Sequence, residues 1–280
     1  MQYRIPAPHP TVPVSISDLV IYPLKSALGS SVGEMELDER GPRGDRRWML
    51  VDDNGKYVSL RHVPRLCLVA ASLTEDGIAL TLGAQDRVEV RTPESGWSEW
   101  IDAEVWSGPC RVLLADSTAS DQLSRFLGVK CRLAFQPEVA AGPDAPRYGD
   151  FGSQPRRIAL TDGAPLLLTS MASLADLNAR LAEPVPMYRF RPNVVIQGNE
   201  PWSEESLRAF TIGALGFDGV KPCPRCAATT VDYASATRGK EPLRTLATFR
   251  KVGSDVNFGM NVAHRATGTI RVGDAVVVLD

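Results

Sequence analysis

Apolar residues recur along the chain mostly in short runs broken by turn residues, a pattern typical of β-strands. Residues 14–22 predict a first strand, and Met49-Leu50-Val51 predicts another. Between residues 57 and 106, β-prone segments follow one another at near-regular spacing and are separated by turns such as Glu75-Asp76-Gly77. This spacing predicts a mostly antiparallel sheet or a small barrel in the first half of the chain.

Two segments have the spacing of amphipathic helices. Residues 120–128 carry apolar side chains at helical intervals and end at Gly128, which predicts a helix with a glycine stop. Residues 170–181 form the clearest helical pattern, in which Ser173 and Asp176 resemble a capping box. We interpret this second helix as a structural one that covers a sheet.

The second half continues with alternating element types. Residues 202–210 predict a short helix, and Pro242 at a first helical position predicts another. Residues 166–169 and 194–196 are apolar strands, and residues 268–279 predict two strands around a Gly-Asp turn.

The segment 136–157 is rich in proline and glycine, which is typical of a domain boundary or a long active-site loop. We therefore expect a tail over residues 1–13, a first domain over 14–135 and a second over 136–280. The predicted fold class is α+β and β-rich, with two lobes and a few covering helices.

Composition narrows the class of protein. The chain has 280 residues, 44% of them hydrophobic, and a net charge of −2 from 31 basic and 33 acidic side chains, so nothing draws it as a whole to nucleic acid or anionic membranes. It has no apolar run near the roughly 20 residues of a membrane helix, nor a signal-peptide core at its start. We expect a cytoplasmic location.

The five cysteines also bear on this expectation. Their odd number and wide spread argue against a disulfide framework. Cys67, Cys110 and Cys131 lie among apolar neighbours and are predicted to be small buried side chains.

The remaining two cysteines, Cys223 and Cys226, form a CxxC motif that holds Pro224 and follows Pro222. Because each proline fixes φ and lacks an N–H donor, the motif is predicted to be a stiff loop. The small and β-branched residues 227–231 after it predict a buried strand.

The charge around these thiols favours the thiolate form, because Lys221 and Arg225 lie beside them in the chain. A thiolate is a metal ligand or a nucleophile. A CxxC motif alone fits half a zinc site, a redox dithiol or a short disulfide, and these alternatives stay open at this point.

Three other segments are rich in cations. Lys25-Ser26 follows the first predicted strand, and three arginines, including Arg46, lie between residues 43 and 47. Arg189 and Arg191 flank a phenylalanine in a segment that we interpret as extended, with both arginines on one face. Arginine forks suit phosphate or carboxylate groups, whereas solvated turns and a surface of paired charges are the alternatives.

Six motifs, in this order along the chain, resemble the MOSC family. They are Ile21-Tyr22-Pro23-Leu24-Lys25-Ser26, Asp45-Arg46-Arg47-Trp48, Ser173-Leu174-Ala175-Asp176-Leu177-Asn178, Phe190-Arg191-Pro192-Asn193, Cys223-Pro224-Arg225-Cys226 and Gly268-Thr269-Ile270-Arg271-Val272-Gly273-Asp274. The resemblance covers roughly residues 14–280. Within the family, the motifs are most similar to the subgroup with an N-terminal MOSC β-barrel domain, which includes the amidoxime-reducing components.

This resemblance implies an enzyme that reduces N-hydroxylated compounds with a molybdenum–molybdopterin cofactor. Cys226 matches the protein ligand of the metal and the catalytic residue, which leaves Cys223 as a packing or supporting thiol. Thiolate is the side chain suited to a soft metal centre. The resemblance implies these cofactor-binding residues: Lys25, Ser26, Arg46, Asp162, Gly163, Arg191, Asn193 and Arg225.

The chain departs from the mitochondrial relatives at two points. It has Gly163 and Ala164 where they carry hydroxyl residues, so backbone N–H contacts are expected there. Pro224 replaces a serine that is common in the cysteine loop, which removes one donor.

The resemblance also implies the partners. Some bacterial relatives carry a C-terminal ferredoxin domain, which the chain lacks up to Asp280. We therefore expect a separate electron donor, such as a reductase or a ferredoxin-like or cytochrome b5-like protein, and a small N-hydroxylated substrate. No nucleic acid or membrane partner is expected.

Two functions other than reduction are considered. In the first, the protein is a sulfur carrier or a metal-sulfur transfer module with a persulfide on Cys226. In the second, it holds a structural zinc knuckle, which would need two further ligands that the sequence does not offer at suitable spacing. Since the cationic motifs come from both halves, the reductase hypothesis predicts two lobes that share one cofactor cleft.

Overall fold

The computed structural model describes residues 13–84, 86–106, 108–137, 148–151 and 154–279. The predicted tail, apart from Pro13, and a large part of the predicted boundary segment 136–157 lie outside these ranges. Within them, no helix is long and apolar enough to cross a membrane.

Strands dominate the fold. The first half contains β1 (Ser15–Ile21), β2 (Ser30–Val32), β3 (Glu34–Asp38), β4 (Gly41–Pro42), β5 (Trp48–Val51), β6 (Val69–Leu73), β7 (Gly77–Leu82), β8 (Asp86–Arg91), β9 (Trp100–Val105), β10 (Gly108–Leu114) and β11 (Arg132–Phe135). The second half contains β12 (Tyr148–Phe151), β13 (Gln154–Arg157), β14 (Leu166–Ser170), β15 (Val194–Gln197), β16 (Ala209–Ile212), β17 (Leu215–Pro224), β18 (Val231–Asp232), β19 (Thr237–Arg238), β20 (Lys251–Val252), β21 (Asp255–His264), β22 (Gly268–Arg271) and β23 (Val276–Val278).

Helices are few and short. The α-helices are α1 (Ser117–Leu127), α2 (Met171–Asn178) and α3 (Leu243–Leu246), and the 3-10 helices span Pro64–Leu68, Met187–Arg189, Ser203–Ser206 and Ala227–Thr230. The β-rich α+β class predicted from the sequence is therefore confirmed.

The largest sheet has nine strands and combines both halves of the chain. Its main path runs β2-β1-β15-β14-β21-β17-β16-β23, and β20 pairs with β21. The sheet also bonds across its ends, because the Val276 amide donates to the Val14 carbonyl at 2.9 Å and the Ile16 amide to the Asp274 carbonyl at 2.9 Å. Its interior is an apolar cluster that includes Leu19 and Phe210.

Most strands of the first half form two smaller antiparallel sheets, as the spacing of residues 57–106 predicts. One contains β6, β7 and β8, and the other runs β5-β11-β10-β9. Their apolar faces and α1 enclose a core that includes Leu80, Leu123 and Leu133. Val231 and Tyr233 from the second half join the same core, so the halves also pack together there. The division at residues 135 and 136 stays a prediction.

The two predicted amphipathic helices form, with different starts. Asp116 caps α1 by accepting the Thr118 amide, and Gly128 ends it in a left-handed conformation. Ser170, not Ser173, caps α2 by accepting the Ala172 and Ser173 amides, so the capping box predicted at Ser173 and Asp176 is wrong. The helix connects β14 to the parallel strand β15 as a crossover.

The helix predicted over residues 202–210 is also wrong. Only Ser203–Ser206 is helical, as a 3-10 turn after Trp202, whose φ of 68° is left-handed. Phe210 instead lies in β16, between Phe217 of β17 and Val278 of β23, because its ring fills the core of the large sheet. The helix predicted at Pro242 forms as α3, but Pro242 is its cap and not its first residue.

The predicted strand over residues 227–231 is mainly a 3-10 turn, Ala227–Thr230, followed by β18. Thr229 and Thr230 cause the difference, since their hydroxyls donate to the carbonyls of Cys226 and Ala227 at 3.0 and 2.8 Å. Such local side-chain bonds compete with strand pairing.

Candidate functional site

The loop after β1 carries Lys25 and Ser26. Ser26 has a left-handed φ of 73°, and the Lys25 amide donates to the Trp48 carbonyl at 2.8 Å, so the loop is tied to β5. The Lys25 ammonium is buried, where it donates to the Leu160 carbonyl at 2.7 Å and to the Asp162 carboxylate.

Arg46 lies beside this loop, since its amide donates to the Tyr22 carbonyl at 2.8 Å, and its side chain is held on several sides. Its Nη1 donates to Asp45 Oδ2 at 2.5 Å and to Asn193 Oδ1 at 2.9 Å, and its Nη2 donates to the Arg191 carbonyl at 3.1 Å. Asp45 is fully buried and also accepts the Tyr22 amide at 2.8 Å. Arg46 is thus fixed by groups from both halves of the chain.

Arg191 and Arg46 share an aromatic neighbour. The Arg46 and Arg191 guanidinium carbons lie 4.4 and 4.5 Å from the centre of the buried Tyr22 ring. Both arginines have left-handed φ angles, 46° and 55°, and Arg191 Nη1 donates to the Ala27 carbonyl. A guanidinium stacked on an aromatic ring has fewer accessible orientations, so the two cations are held in place before a ligand binds.

The cysteine loop enters from β17. This strand continues through Cys223 and Pro224 and pairs with β21, so Cys223 lies on a strand and the predicted stiff loop is limited to Arg225 and Cys226. Arg225 Nη2 donates to the Phe190 carbonyl at 2.7 Å, and its Nη1 donates to the Cys223 sulfur at 2.9 Å. Cys223 is half-buried, whereas Cys226 is exposed.

One cleft of about 180 Å³ collects these groups. Every site residue predicted from the sequence lines it: Lys25, Ser26, Arg46, Asp162, Gly163, Arg191, Asn193, Arg225 and Cys226. The expectation of a cleft shared by both halves agrees with this geometry.

Two carboxylates accompany the cations. Lys25 pairs with Asp162 and Arg46 pairs with Asp45, so each of these two cations has a carboxylate partner. Burial alone would raise the pKa of Asp162, but the Lys25 ammonium holds it below its usual value. Asp162 is therefore an ionised acceptor at neutral pH.

Comparisons with known proteins agree with this geometry. Residues 14–130 match the MOSC N-terminal beta barrel domain, and residues 155–277 match the MOSC domain. The chain is 34% identical to the human mitochondrial amidoxime-reducing component 1, with 95% of this chain and 83% of that protein covered. The chain belongs to the MOSC family.

Two further similarities of this MOSC protein are as follows. The chain is 30% identical to the zebrafish (Danio rerio) molybdenum cofactor sulfurase. The match covers 90% of this chain and 32% of that protein. A solved structure, the YuaD protein from Bacillus subtilis, is 10% identical with a TM-score of 0.43, and the alignment covers 95% of this chain and 94% of that one.

The MOSC site does not include Arg189. The predicted extended segment is a 3-10 turn, Met187–Arg189, so Arg189 and Arg191 do not share a strand face. Arg189 is buried elsewhere, where its Nε donates to the Thr229 carbonyl at 2.9 Å and its Nη1 to Asp232 at 3.2 Å.

Sequence motifs miss several lining residues, among them Tyr57, Ser59, Arg61, Thr161 and Asn261. Asn261 is adjacent to the cysteine strand only through sheet pairing, since it is opposite Lys221. Tyr57 and Arg61 follow the turn over residues 52–55, whose composition indicates a turn but not a ligand site. Thr161 is the one of these residues that the sequence could have indicated, because it directly precedes the predicted Asp162-Gly163 pair.

The other cysteines and histidines lie apart from this site. Cys67 and Cys131 are buried as predicted, and burial raises their pKa, whereas Cys110 is only half-buried. Buried His264 contacts the Asp38 carbonyl at 2.7 Å. In the described part of the chain, no group of three or more His, Cys, Asp or Glu side chains could hold a metal ion.

Proposed function

We propose that the protein is a reductase of N-hydroxylated compounds that uses a molybdenum–molybdopterin cofactor. The observation that carries this proposal is the cleft itself, in which one exposed thiol, Cys226, accompanies cations from both halves of the chain. Relatives that the chain matches over 82% and 83% of their length are named amidoxime-reducing components, which supports the reaction class.

The side chains present fit such a cofactor. Two buried atoms in the cleft wall, Thr161 Oγ1 and Arg225 Nε, have no hydrogen-bond partner among the described residues. A ligand rich in donors and acceptors would supply those partners. The guanidinium groups of Arg46 and Arg191 suit an anionic phosphate, and the Cys226 thiolate suits a soft metal.

Each proposed residue has a distinct task. Cys226 would bind the metal, and Lys25, Arg46 and Arg191 would bind the anionic end of the cofactor. Asp162, an acceptor, and the open side of Gly163 would contact the pterin ring, where a Cβ on Gly163 would come no closer than 3.9 Å to Asn261. Ser26, Asn193 and Arg225 would complete the binding site.

The proposed reaction takes two electrons and two protons, breaks the N–O bond, forms an N–H bond and releases water. When bound, the cofactor supplies the redox chemistry. The protein would orient the substrate beside Cys226 and hold Asp162 ionised through Lys25.

We propose a separate redox protein as the electron donor, which would dock weakly, and a small N-hydroxylated compound as the substrate. A cytoplasmic location remains part of the proposal. It is supported by five free cysteines, which suit a reducing compartment, whereas the relatives are named as mitochondrial.

A sulfur-transfer function is the second candidate. It is favoured by the relative named molybdenum cofactor sulfurase and by the exposure of Cys226, which could carry a persulfide.

Analysis of the purified protein tests both candidates. Molybdenum by plasma mass spectrometry and pterin by fluorescence are each expected near one per chain, together with reduction of benzamidoxime by a chemically reduced viologen dye. Persulfide on Cys226 without pterin would support sulfur transfer and contradict the reductase.

A further inference from the structure

Arg61 is the cation of the cleft that no cofactor motif includes. It lines the cleft from the first half of the chain and is half-buried. Its Nε donates to Ser59 Oγ at 3.3 Å, and its Nη2 donates to the Tyr57 hydroxyl. These bonds hold the guanidinium in one orientation.

Trp106 supports the same guanidinium from outside. The Arg61 guanidinium carbon lies 4.8 Å from the Trp106 ring centre, and 71% of Trp106 is exposed. The indole face limits the orientations of the Arg61 guanidinium. The Arg61 carbonyl also accepts Arg238 Nη1 at 3.1 Å, which ties the backbone to β19.

One nitrogen of the Arg61 guanidinium remains open to a ligand. Among the described residues, Nη1 has no acceptor, so two N–H donors remain for a ligand. Arg61 and Cys226 line the same cleft. Burial alone would lower the Arg61 pKa, but its electrostatic neighbours raise it above its usual value. The cation is permanently charged beside the reactive thiol.

Arg61 differs from Lys25 and Arg46 in its partners. Lys25 and Arg46 are mostly buried and each is paired with a carboxylate. Arg61 has no carboxylate within salt-bridge distance among the described residues and is held by two hydroxyls, neither of which neutralises it. Its charge is therefore available to an anionic group that enters the cleft beside Cys226.

We propose that Arg61, held in place by Trp106, binds a carboxylate of the substrate, so that the enzyme prefers N-hydroxylated compounds that carry a carboxylate. This inference rests on the proposed reductase function. Arg61 is a substrate-binding residue and Trp106 is a positioning residue. A guanidinium would also suit the cofactor phosphate, so the experiment distinguishes a substrate carboxylate from that phosphate.

The test compares kcat/KM for 4-carboxybenzamidoxime with that for benzamidoxime. Arg61→Ala is expected to lower the ratio of the two values about tenfold, the effect of removing one charge-assisted hydrogen bond. Arg61→Lys is expected to keep part of the preference, and Arg87→Ala, a surface arginine on β8, to keep all of it. Trp106→Leu should raise KM for the carboxylated compound, and Trp106→Phe should restore it.

Two further measurements make the outcome decisive. Molybdenum content of Arg61→Ala should equal that of wild type, and a loss of cofactor there would overturn the proposal in favour of a phosphate contact. An unchanged ratio would also overturn it. Benzoate binding by calorimetry should be at least tenfold weaker in Arg61→Ala. If wild type reduces neither compound, the proposed reductase function is wrong. Equal benzoate binding by wild type and Arg61→Ala would instead overturn only the proposal that Arg61 binds a carboxylate.

Discussion

Cys223 and Cys226 are three residues apart but have different surroundings. Cys223 is half-buried on β17, and its sulfur accepts a bond from Arg225 Nη1 at 2.9 Å. Cys226 begins the 3-10 turn after the strand and is exposed to the cleft. Metal ligation needs one specific sulfur, whereas a redox dithiol or a zinc half-site needs both.

We therefore expect different effects from the two cysteine substitutions. Cys226→Ser replaces a soft thiolate with a mostly protonated hydroxyl and should abolish reduction of N-hydroxylated substrates, even where pterin is retained. Cys223→Ser should cost far less. The measurement is activity with an artificial electron donor, together with molybdenum content.

Equal and complete loss in both cysteine variants would indicate a paired-thiol mechanism. An active Cys226→Ser protein would remove Cys226 from the metal.

Arg46 and Arg191 should contribute separately to cofactor retention. Each charge-assisted hydrogen bond is worth about 1.5 to 3 kcal/mol, so Arg46→Ala or Arg191→Ala should weaken retention roughly tenfold or more. Arg46→Ala has an additional cost of about 3 kcal/mol in folding stability, because buried Asp45 loses its cation. Cofactor content after dialysis and urea unfolding measure the two effects.

The double variant Asp45→Asn with Arg46→Ala is the control for stability, because it removes the unpaired charge. It should recover most of the stability but not the cofactor. Full cofactor in both single arginine variants would show that the cleft does not bind the phosphate.

At the scale of elements, the turn Ser203–Ser206 shows how a short helix is held by its neighbours. Glu204 and Glu205 are buried, and Glu205 pairs with Arg250. Glu204 accepts the Ser173 hydroxyl from α2 at 2.8 Å, while its other oxygen has no partner among the described residues. Burial raises the pKa of Glu204 to about 6.

This pKa predicts a pH dependence of stability. The folded value of about 6 exceeds the ordinary 4.5, so wild type loses stability as pH rises through this window, by about 2 kcal/mol in total. Glu204→Gln keeps the bond from Ser173 and does not ionise. Its free energy of unfolding should exceed that of wild type by about this amount at pH 7.5 and should match it near pH 4, below the ordinary pKa.

Urea unfolding of both proteins at the two pH values measures the difference. Asp121→Asn, on the exposed side of α1, is the control and should show no such change. A Glu204→Gln effect that is the same at both pH values would contradict the shifted pKa.

At the scale of the whole molecule, strands from the first half complete the barrel of the second. β1 lies between β2 and β15, and β3 pairs with β22. Leu19, Ile21, Met35 and Leu37 from these strands are buried in the same cluster as Phe210 and Phe217. The cut predicted between residues 135 and 136 would separate these partners.

Fragments 14–135 and 136–280 should therefore fail to fold when they are produced separately. The second would expose the pairing edges of β15 and β22 and the apolar faces beneath them. We expect aggregation of each fragment alone, and a single cooperative unfolding transition for the intact chain by calorimetry. Co-expression of the fragments is the control and should recover soluble protein. A soluble, cooperatively unfolding fragment 136–280 would contradict this expectation.

Local rules determined much of this protein. Alternating apolar residues and turn residues are enough to specify the β-rich class, because side-chain direction in a strand depends only on sequence parity. The ends of α1 follow from Asp116 and Gly128, whose cap conformations are local. The chemistry of Cys226 and the cations also follows from residue type, and their order along the chain resembles the MOSC family.

Tertiary structure alone decided the remaining features. Phe210 is in a strand because Phe217 and the barrel core are beside it, and no local pattern encodes that burial. Arg46 pairs with its neighbour Asp45, but it also donates a hydrogen bond to Asn193, which is 147 residues away in sequence. Arg61 and Cys226 line the same cleft only because the two halves pack together. Long-range packing brings these groups together, and periodicity within a segment carries no information about which segments become neighbours.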